Sequence, residues 1–183
     1  MNHHAIGLVE LNSIAKGFEV CDAMAKTADV TVLVAKSICP GKYIVMVGGD
    51  VAAVRQSVDA WQGVCGSTLV DTFVIPNIHP AVLPAISGGN SIEAVQALGV
   101  IETYSVAATI EAADAAVKAA SVIPLRMHLA FGIGGKSYVV LSGEVADMNA
   151  AVEAGAAVAS ERGFLVNRVV IPRPHRQMID QIL

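Results

Sequence analysis

Hydrophobic and polar positions form blocks along the first half of the chain, and each block has the period of one type of element. Residues 5–11 are an apolar run of strand length, while apolar residues return every three or four positions over residues 14–28, which predicts a helix. The later blocks predict strands over 30–38, 42–47 and 68–75, and a helix over 51–65 after the N-cap Asp50. The order β-α-β-β-α-β is that of ferredoxin-like α+β folds, an antiparallel sheet with helices on one face.

Each predicted helix has one apolar face, which we expect to pack on the sheet. In the first helix this face consists of Ile14, Phe18, Cys21, Ala25 and Ala28. In the second helix it consists of Val51, Val54, Val58, Trp61 and Cys65. A short further helix is predicted over residues 81–86 and again after His175.

The same pattern occurs twice in the chain. Residues 5–10 (AIGLVE) return 92 positions later as residues 97–102 (ALGVIE). The offset grows to 94 at Gly135-Lys136 and to 96 at Ile171-Pro172, so the insertions fall in turns, where length changes cost little. We therefore predict tandem domains over residues 1–87 and 97–183, joined by a linker over residues 88–96.

Composition narrows the class of protein. The chain is 54% hydrophobic with a mean hydropathy of +0.59, but charged residues interrupt every apolar run before the roughly 18–20 residues that span a membrane. Such a chain is expected to bury surface against copies of itself.

The net charge of -4, with scattered Lys and Arg, argues against nucleic acid as a partner. Three cysteines and no signal-peptide pattern favour a reducing cytoplasm.

Cys39 differs from the other two cysteines. Cys21 and Cys65 lie on the predicted apolar faces and correspond to alanines in the second repeat, so they are predicted to be small buried hydrophobes. Cys39 instead precedes Pro40 and Gly41 in a turn between two strands, where its thiol is presented outward.

Two chemistries remain open for Cys39. A nucleophile needs an activating neighbour, and Lys36 and Lys42 could lower the pKa of its thiol, but no histidine base is indicated. A metal ligand needs companions, because iron–sulfur clusters usually take four thiolates. A symmetric oligomer could supply the missing ones.

The glycine-rich run over residues 132–137 resembles a phosphate-binding P-loop but fails on two counts. Ala130 stands where that motif needs glycine, and a strand-like run follows where the motif needs a helix. A glycine hairpin equivalent to the Cys39 loop is the better interpretation.

Two further pairs of residues are predicted to be structural. His79 and His175 have no second ligand three or four positions away, so we place them at the start of the short helices and not in a zinc site. Glu10 and Glu102 occupy matching positions after the first strand of each repeat, which suggests packing or hydrogen bonding and not a catalytic pair.

Four motifs, residues 5–10, 22–26 (DAMAK), 48–54 (GGDVAAV) and 171–175 (IPRPH), resemble the bacterial microcompartment shell domain. Two such domains in one chain resemble the tandem, trimer-forming class in the unpermuted order. Residues 13–17, 38–42 and 131–136 are most similar to its propanediol-utilisation members. The resemblance implies an α+β fold of two tandem ferredoxin-like domains, and a structural shell protein, not an enzyme.

The resemblance also implies an assembly and its residues. It implies a homotrimer that forms a pseudohexamer and tiles with other shell proteins in the microcompartment shell, within the bacterial cytoplasm. The implied pore loops contain Ile38, Pro40, Gly41, Gly132, Ile133, Gly134 and Gly135. The implied assembly edge contains Lys26, Lys118 and Arg173, with Asn77 at the position of Arg173 in the first repeat.

For Cys39 the resemblance implies a [4Fe-4S] cluster, one per trimer, on the threefold axis. In that position three irons of the cubane are equivalent, so each accepts one Cys39 thiolate, while the fourth iron takes a non-protein ligand. The implied role is electron transfer across the shell, or cluster delivery, with an encapsulated or cytosolic redox enzyme as a further partner.

Two alternatives come from other classes of protein. A trimeric small-ligand-binding or regulatory module of the same fold would use the glycine loops to hold a small anion. A cysteine-dependent enzyme would lose turnover when Cys39 is alkylated. Tight binding of a phosphorylated metabolite without sheet assembly would favour the first of these.

Overall fold

The computed structural model describes residues 4–88, 90 and 95–182, so residues 89 and 91–94 of the predicted linker lie outside the described residues. Contacts divide the chain into two compact units. Unit 1 runs to Ile78 and also contains Ser105–Ala107 and Ala130–Gly135. Unit 2 contains His79–Tyr104, Ala108–Leu129 and the chain from Lys136 onward. The boundaries proposed from sequence, at residues 87 and 97, stay a prediction.

Unit 1 contains a four-stranded antiparallel sheet. Its strands are β1 (Ala5–Leu11), β2 (Thr31–Ile38), β3 (Lys42–Gly49) and β4 (Leu69–Ile75), in the order β2-β3-β1-β4. Between them lie the helices α1 (Ile14–Thr27) and α2 (Val51–Asp59). This is the predicted β-α-β-β-α-β order with the predicted antiparallel pairing.

The start of α2 is where the sequence placed it, but its end is not. Asp50 caps the helix, because its carboxylate accepts hydrogen bonds of 3.0 Å from the amides of Ala52 and Ala53. The α-helix ends at Asp59 and continues as a 3₁₀ turn over Ala60–Gly63, so it does not reach Cys65 as predicted.

The predicted inward face of α1 is wrong. The residues of α1 that are buried are Gly17, Val20 and Met24, whereas Ile14 and Phe18 are 41% and 64% exposed. A Cβ at Gly17 would lie 2.3 Å from the ring of Tyr43, so this glycine lets α1 approach β3 closely, and the Val20 and Met24 side chains of α1 join the core. The hydrophobic pattern cannot register such a contact, since glycine adds nothing to an apolar stripe.

Unit 2 repeats the sheet. Its strands are β5 (Ala97–Thr103), β6 (Val122–Leu129), β7 (Ser137–Gly143) and β8 (Leu165–Pro172), in the order β6-β7-β5-β8. Its helices are α3 (Val82–Ile86), α4 (Val106–Ala119), α5 (Val145–Glu161) and α6 (Arg176–Ile182).

Glycines set the close packing in unit 2. A Cβ at Gly99 of β5 would lie 2.3 Å from the Met148 sulfur of α5, and one at Gly155 of α5 would lie 2.5 Å from the Ala112 carbonyl of α4. These contacts place the two long helices against each other and α5 against the sheet, as in the predicted layer arrangement. Among the described residues, no helix combines the length and hydropathy of a membrane span.

Candidate functional site

Cys39 lies in the tight turn that joins β2 to β3. The amide of Gly41 donates to the carbonyl of Ile38 over 3.1 Å, and Gly41 has a φ of 91°, a left-handed conformation that favours glycine. The Cys39–Pro40 peptide bond is cis. The cysteine is half-buried, so its sulfur remains partly accessible at the turn.

The structure brings the two loops predicted to line a pore together in unit 1. The Cys39 amide donates to the carbonyl of Ala130 over 2.9 Å, and the amide of Gly132 donates to the Cys39 sulfur over 3.3 Å. Gly135 lies against the turn, where a Cβ would come within 2.7 Å of Pro40 Cδ. The glycines therefore allow the second loop to pack on the Cys39 turn and to direct an amide at its sulfur.

The donor set fits one ligand of a shared cluster and does not fit a complete metal site. Within the described residues, no group of three or more His, Cys, Asp or Glu side chains could hold a metal ion. Hydrogen bonds to the sulfurs of cluster cysteines tune the potential of the cluster, and the Gly132 amide supplies one such bond to the Cys39 sulfur. One chain offers one such sulfur, so any cluster here needs cysteines from other copies.

Lys42, one of the two lysines suggested from the sequence as activators of the thiol, is paired with a carboxylate. Its ammonium group is nearly buried and forms an ion pair with Glu10, and it lies 3.5 Å from the carbonyl of Gly135. The positive charge of Lys42 is therefore balanced by the Glu10 carboxylate.

Glu10 lies in a buried polar cluster in unit 1, which agrees with the hydrogen bonding predicted for it, although its partners were not named from the sequence. We call it the Glu10 cluster; its members are Glu10, Lys42, Asp71, Ser105 and the amides of Val106 and Ala107. The Glu10 carboxylate accepts hydrogen bonds from the Ser105 hydroxyl at 3.1 Å and from the two amides at 2.8 and 3.2 Å. Ser105 also donates to Asp71 over 2.6 Å. A carboxylate here offsets the partial positive charge of the first amides of α4.

The corresponding residues of the second repeat are far more exposed. Glu102 corresponds to Glu10, Lys136 to Lys42 and Asn167 to Asp71. Glu102 and Lys136 form an ion pair of 2.5 Å, with side chains 30% and 39% exposed. The hydrogen bond to Glu102 raises the pKa of Lys136, so its ammonium stays charged at neutral pH. The repeated Glu and Lys were the signal in the sequence from which this cluster could have been found.

The residues predicted to lie at an assembly edge occupy three separate elements. Lys26 is in the last turn of α1 and pairs with Asp22 over 2.6 Å, and Lys118 is in the last turn of α4 and pairs with Asp114. Arg173 follows β8, where its amide donates to the carbonyl of Gln96 over 2.9 Å and its φ is 49°.

The two histidines have the structural use that the sequence predicted. His79 Nδ1 accepts from the Ala81 amide at 3.3 Å, and its own amide donates to Asp114 over 2.8 Å. His175 Nδ1 likewise accepts from the amide of Gln177 at 3.3 Å. The His175 ring therefore caps α6, whereas the His79 bond lies just before α3, whose N-cap Ala81 has no side-chain capping bond.

The remaining motifs also have structural roles. Ser137 begins strand β7, which confirms that the glycine-rich run is a hairpin and not a P-loop. Cys65 is buried, as predicted. Cys21 is only half-buried; burial first, and then the charge of Asp22, raise the pKa of its thiol, so it stays protonated at neutral pH.

Comparison with known proteins identifies the class. The family model of the BMC domain matches residues 5–78 and 97–174, and the chain therefore belongs to the BMC-domain family of bacterial microcompartment proteins.

Three relatives show how far the similarity extends. The chain is 56% identical over 179 residues to the bacterial microcompartment shell protein PduT of Citrobacter freundii, covering 98% of this chain and 97% of that protein. It is 48% identical over 80 residues to the shell protein EutM of Salmonella typhimurium, covering 44% of this chain and 81% of that one. A crystal structure of a microcompartments protein from Desulfitobacterium hafniense DCB superposes on this chain with a TM-score of 0.86 at 50% sequence identity. The superposition covers 96% of this chain and 98% of that one.

Proposed function

We propose that the protein is a structural shell protein of a bacterial microcompartment, in which three copies form a pseudohexamer that tiles with other shell proteins. Membership of the BMC-domain family makes it a structural protein and not an enzyme. Its similarity to PduT over nearly the whole of both chains supports a place in the shell of a propanediol-utilisation compartment within the cytoplasm.

The observation that carries the trimer is an asymmetry between corresponding surfaces. On α1, Ile14 and Phe18 are exposed, whereas their counterparts on α4, Val106 and Ile110, are completely buried. The difference is not one of composition, because all four residues are apolar. The helix face that is covered in the second repeat is therefore open in the first.

The last strand of each sheet shows the opposite asymmetry, because here the second repeat is the more exposed one. Val169 of β8 is 46% exposed, whereas its counterpart in β4, Phe73, is 5% exposed. The chain thus leaves α1 open in one repeat and β8 open in the other. Two different open surfaces on one chain suit a head-to-tail contact between copies, which closes into a ring when the rotation allows it. A ring of three chains would contain six similar domains.

We further propose that Cys39 from each of the three copies binds a shared [4Fe-4S] cluster. The support is the partly accessible sulfur with its amide donor from Gly132, together with the presence of one such cysteine per chain. When bound, the cluster supplies a redox centre in the wall of the compartment. Its proposed role is electron transfer across the shell or cluster delivery, with an encapsulated or cytosolic redox enzyme as partner.

Anaerobic native mass spectrometry tests both parts together, since it weighs the assembly and its bound iron and sulfide at once. We expect three chains and one cluster per particle. Any other stoichiometry of chains would overturn the trimer. A trimer that takes up no iron and sulfide on reconstitution would overturn the cluster and leave the shell role intact.

We expect Lys26→Ala to weaken tiling while trimers remain intact, because Lys26 is exposed at the end of α1 and its only bonded partner among the described residues is Asp22 on the same helix. Electron microscopy of sheets at high concentration, with size-exclusion chromatography of the same sample, measures the two effects separately. The matched control is Lys16→Ala, which removes another lysine paired on the same helix, with Glu19. Monomers of the Lys26 variant on the column would mean that this face belongs to the trimer.

A further inference from the structure

We propose that Glu102 of one copy binds the start of α1 in a second copy, accepting hydrogen bonds from the Ser13 hydroxyl and from the amides of Ile14 and Ala15. This inference rests on the proposed trimer and names the contact that joins its chains. The partner is therefore another copy of this chain, and the ligand is a helix N-terminus recognised by a carboxylate.

The Glu10 cluster takes its acceptors from one repeat and its donors at the helix start from the other. Its acceptors, Glu10 and Asp71, come from strands of the first repeat, whereas Ser105, Val106 and Ala107 come from the second. The unused halves are the strand residues Glu102 and Asn167 in the second repeat and the helix start at residues 13–15 in the first. The unused halves have the same donors and acceptors as the cluster, apart from Asn167 in place of Asp71.

Both unused halves are open to solvent. Glu102 is 30% exposed where Glu10 is fully buried, and Ser13 is half-buried where Ser105 is fully buried. The amides of Ile14 and Ala15 are the first two of α1, so they have no carbonyl partner within the helix. The Ser13 hydroxyl oxygen accepts from the Lys16 amide at 3.3 Å, which leaves its proton free to be donated, as that of Ser105 is.

The chemistry of the two halves is complementary. A carboxylate next to the first amides of a helix is favourable, because it meets the positive end of the helix dipole. Lys136 already pairs with Glu102, as Lys42 does with Glu10, so the pair would enter the contact with its charge balanced. The Asn167 side-chain oxygen accepts from the Arg168 amide over 2.8 Å, as Asp71 Oδ1 does from the Thr72 amide. An amide oxygen has two lone pairs, so the second one can accept from the Ser13 hydroxyl in place of the other Asp71 oxygen.

A second pair of residues supports the same contact independently. In unit 2 the carboxylate of Asp114 is buried and accepts from the amide of His79 over 2.8 Å. The corresponding residues are Asp22, whose side chain is 63% exposed on α1, and His175, which follows β8. Asp22 lies on α1, whose N-cap is Ser13, and His175 lies in the second repeat, as Glu102 does. One head-to-tail contact would therefore satisfy both pairs.

The test is the rate at which subunits exchange between wild-type trimers of two isotopic masses, read by native mass spectrometry. We expect Glu102→Ala to exchange at least about tenfold faster than the wild-type protein, because hydrogen bonds to a charged group are lost at each contact. Glu102→Gln keeps one acceptor oxygen and should lie between the two. The control Glu161→Gln removes an exposed carboxylate elsewhere and should exchange like the wild-type protein.

A double variant sharpens the assignment. If Glu102 and Ser13 meet across the interface, Ser13→Ala should accelerate exchange less in the Glu102→Ala variant than in the wild-type protein. The reason is that Glu102→Ala has already broken the contact. Equal exchange rates for wild type, Glu102→Ala and Glu102→Gln would overturn this inference while leaving the trimer standing. A wild-type protein that is not a trimer would instead overturn the proposed function on which the inference rests.

Discussion

Replacing Lys42 with methionine is expected to lower the free energy of unfolding by about 3–5 kcal/mol, the cost of leaving a buried charge without its partner. Glu10 is fully buried and Lys42 is its only cationic partner among the described residues. The hydrogen bonds from Ser105, Val106 and Ala107 would remain, so we expect the lower half of that range. Methionine keeps the apolar stem of the lysine, which isolates the loss of the charge. Urea denaturation at one fixed protein concentration measures the change, because association also stabilises the fold.

The control is Lys16→Met, which removes a lysine whose carboxylate partner, Glu19, is exposed on α1. Glu19 can be hydrated when the lysine is lost, so the midpoint of unfolding should barely move. A Lys16 variant as unstable as the Lys42 variant would contradict the distinction between the buried and the exposed pair. A Lys42 variant as stable as the wild-type protein would mean that Glu10 needs no cation.

The second large effect is expected from Cys39→Ser, which should abolish cluster binding while leaving the trimer and its unfolding midpoint close to wild type. Serine keeps the size of the side chain at a half-buried turn, but its hydroxyl is a poor ligand for iron at neutral pH. After anaerobic reconstitution with iron and sulfide, the wild-type protein should absorb broadly near roughly 400 nm, as iron–sulfur proteins do. The variant should be colourless and contain no sulfide.

The other two cysteines provide matched controls. Cys21→Ala and Cys65→Ala introduce the residue that the second repeat carries at each position, Ala113 and Ala159. Both variants should retain the wild-type absorbance and iron content. Loss of the cluster in either of them, or its persistence in Cys39→Ser, would show that the cluster ligand is a different cysteine.

Much of the fold could be predicted from the sequence because strands and helices follow local rules. The run at residues 5–11, the cap at Asp50 and the turn at Pro40-Gly41 each act over a few neighbouring positions, and each lies where it was expected. The helix faces depend on packing between elements, and there the prediction failed for α1. Its stripe containing Ile14 and Phe18 is apolar and yet exposed.

The candidate site was predicted only in part. The cysteine turn and the glycine hairpin were recognised, but nothing in the local pattern indicates that the Gly132 amide reaches the Cys39 sulfur, since 93 positions separate them. Hydrogen bonding was predicted for Glu10, but its partners were missed for the same reason. Glu10 lies 95 positions from Ser105 and 32 from Lys42, so its burial becomes visible only when the strands and the start of α4 are in place.

By itself the sequence determined the duplicated α+β pattern, the strand order along the chain and the exceptional position of Cys39, because repeats and periodicity are properties of the chain in one dimension. Only the tertiary structure decided which of two nearly identical surfaces is covered and which stays open. Val106 and Ile14 are both apolar and begin equivalent helices, yet the first is fully buried and the second is not. That difference arises from what each helix meets after folding, and residue type alone does not encode it.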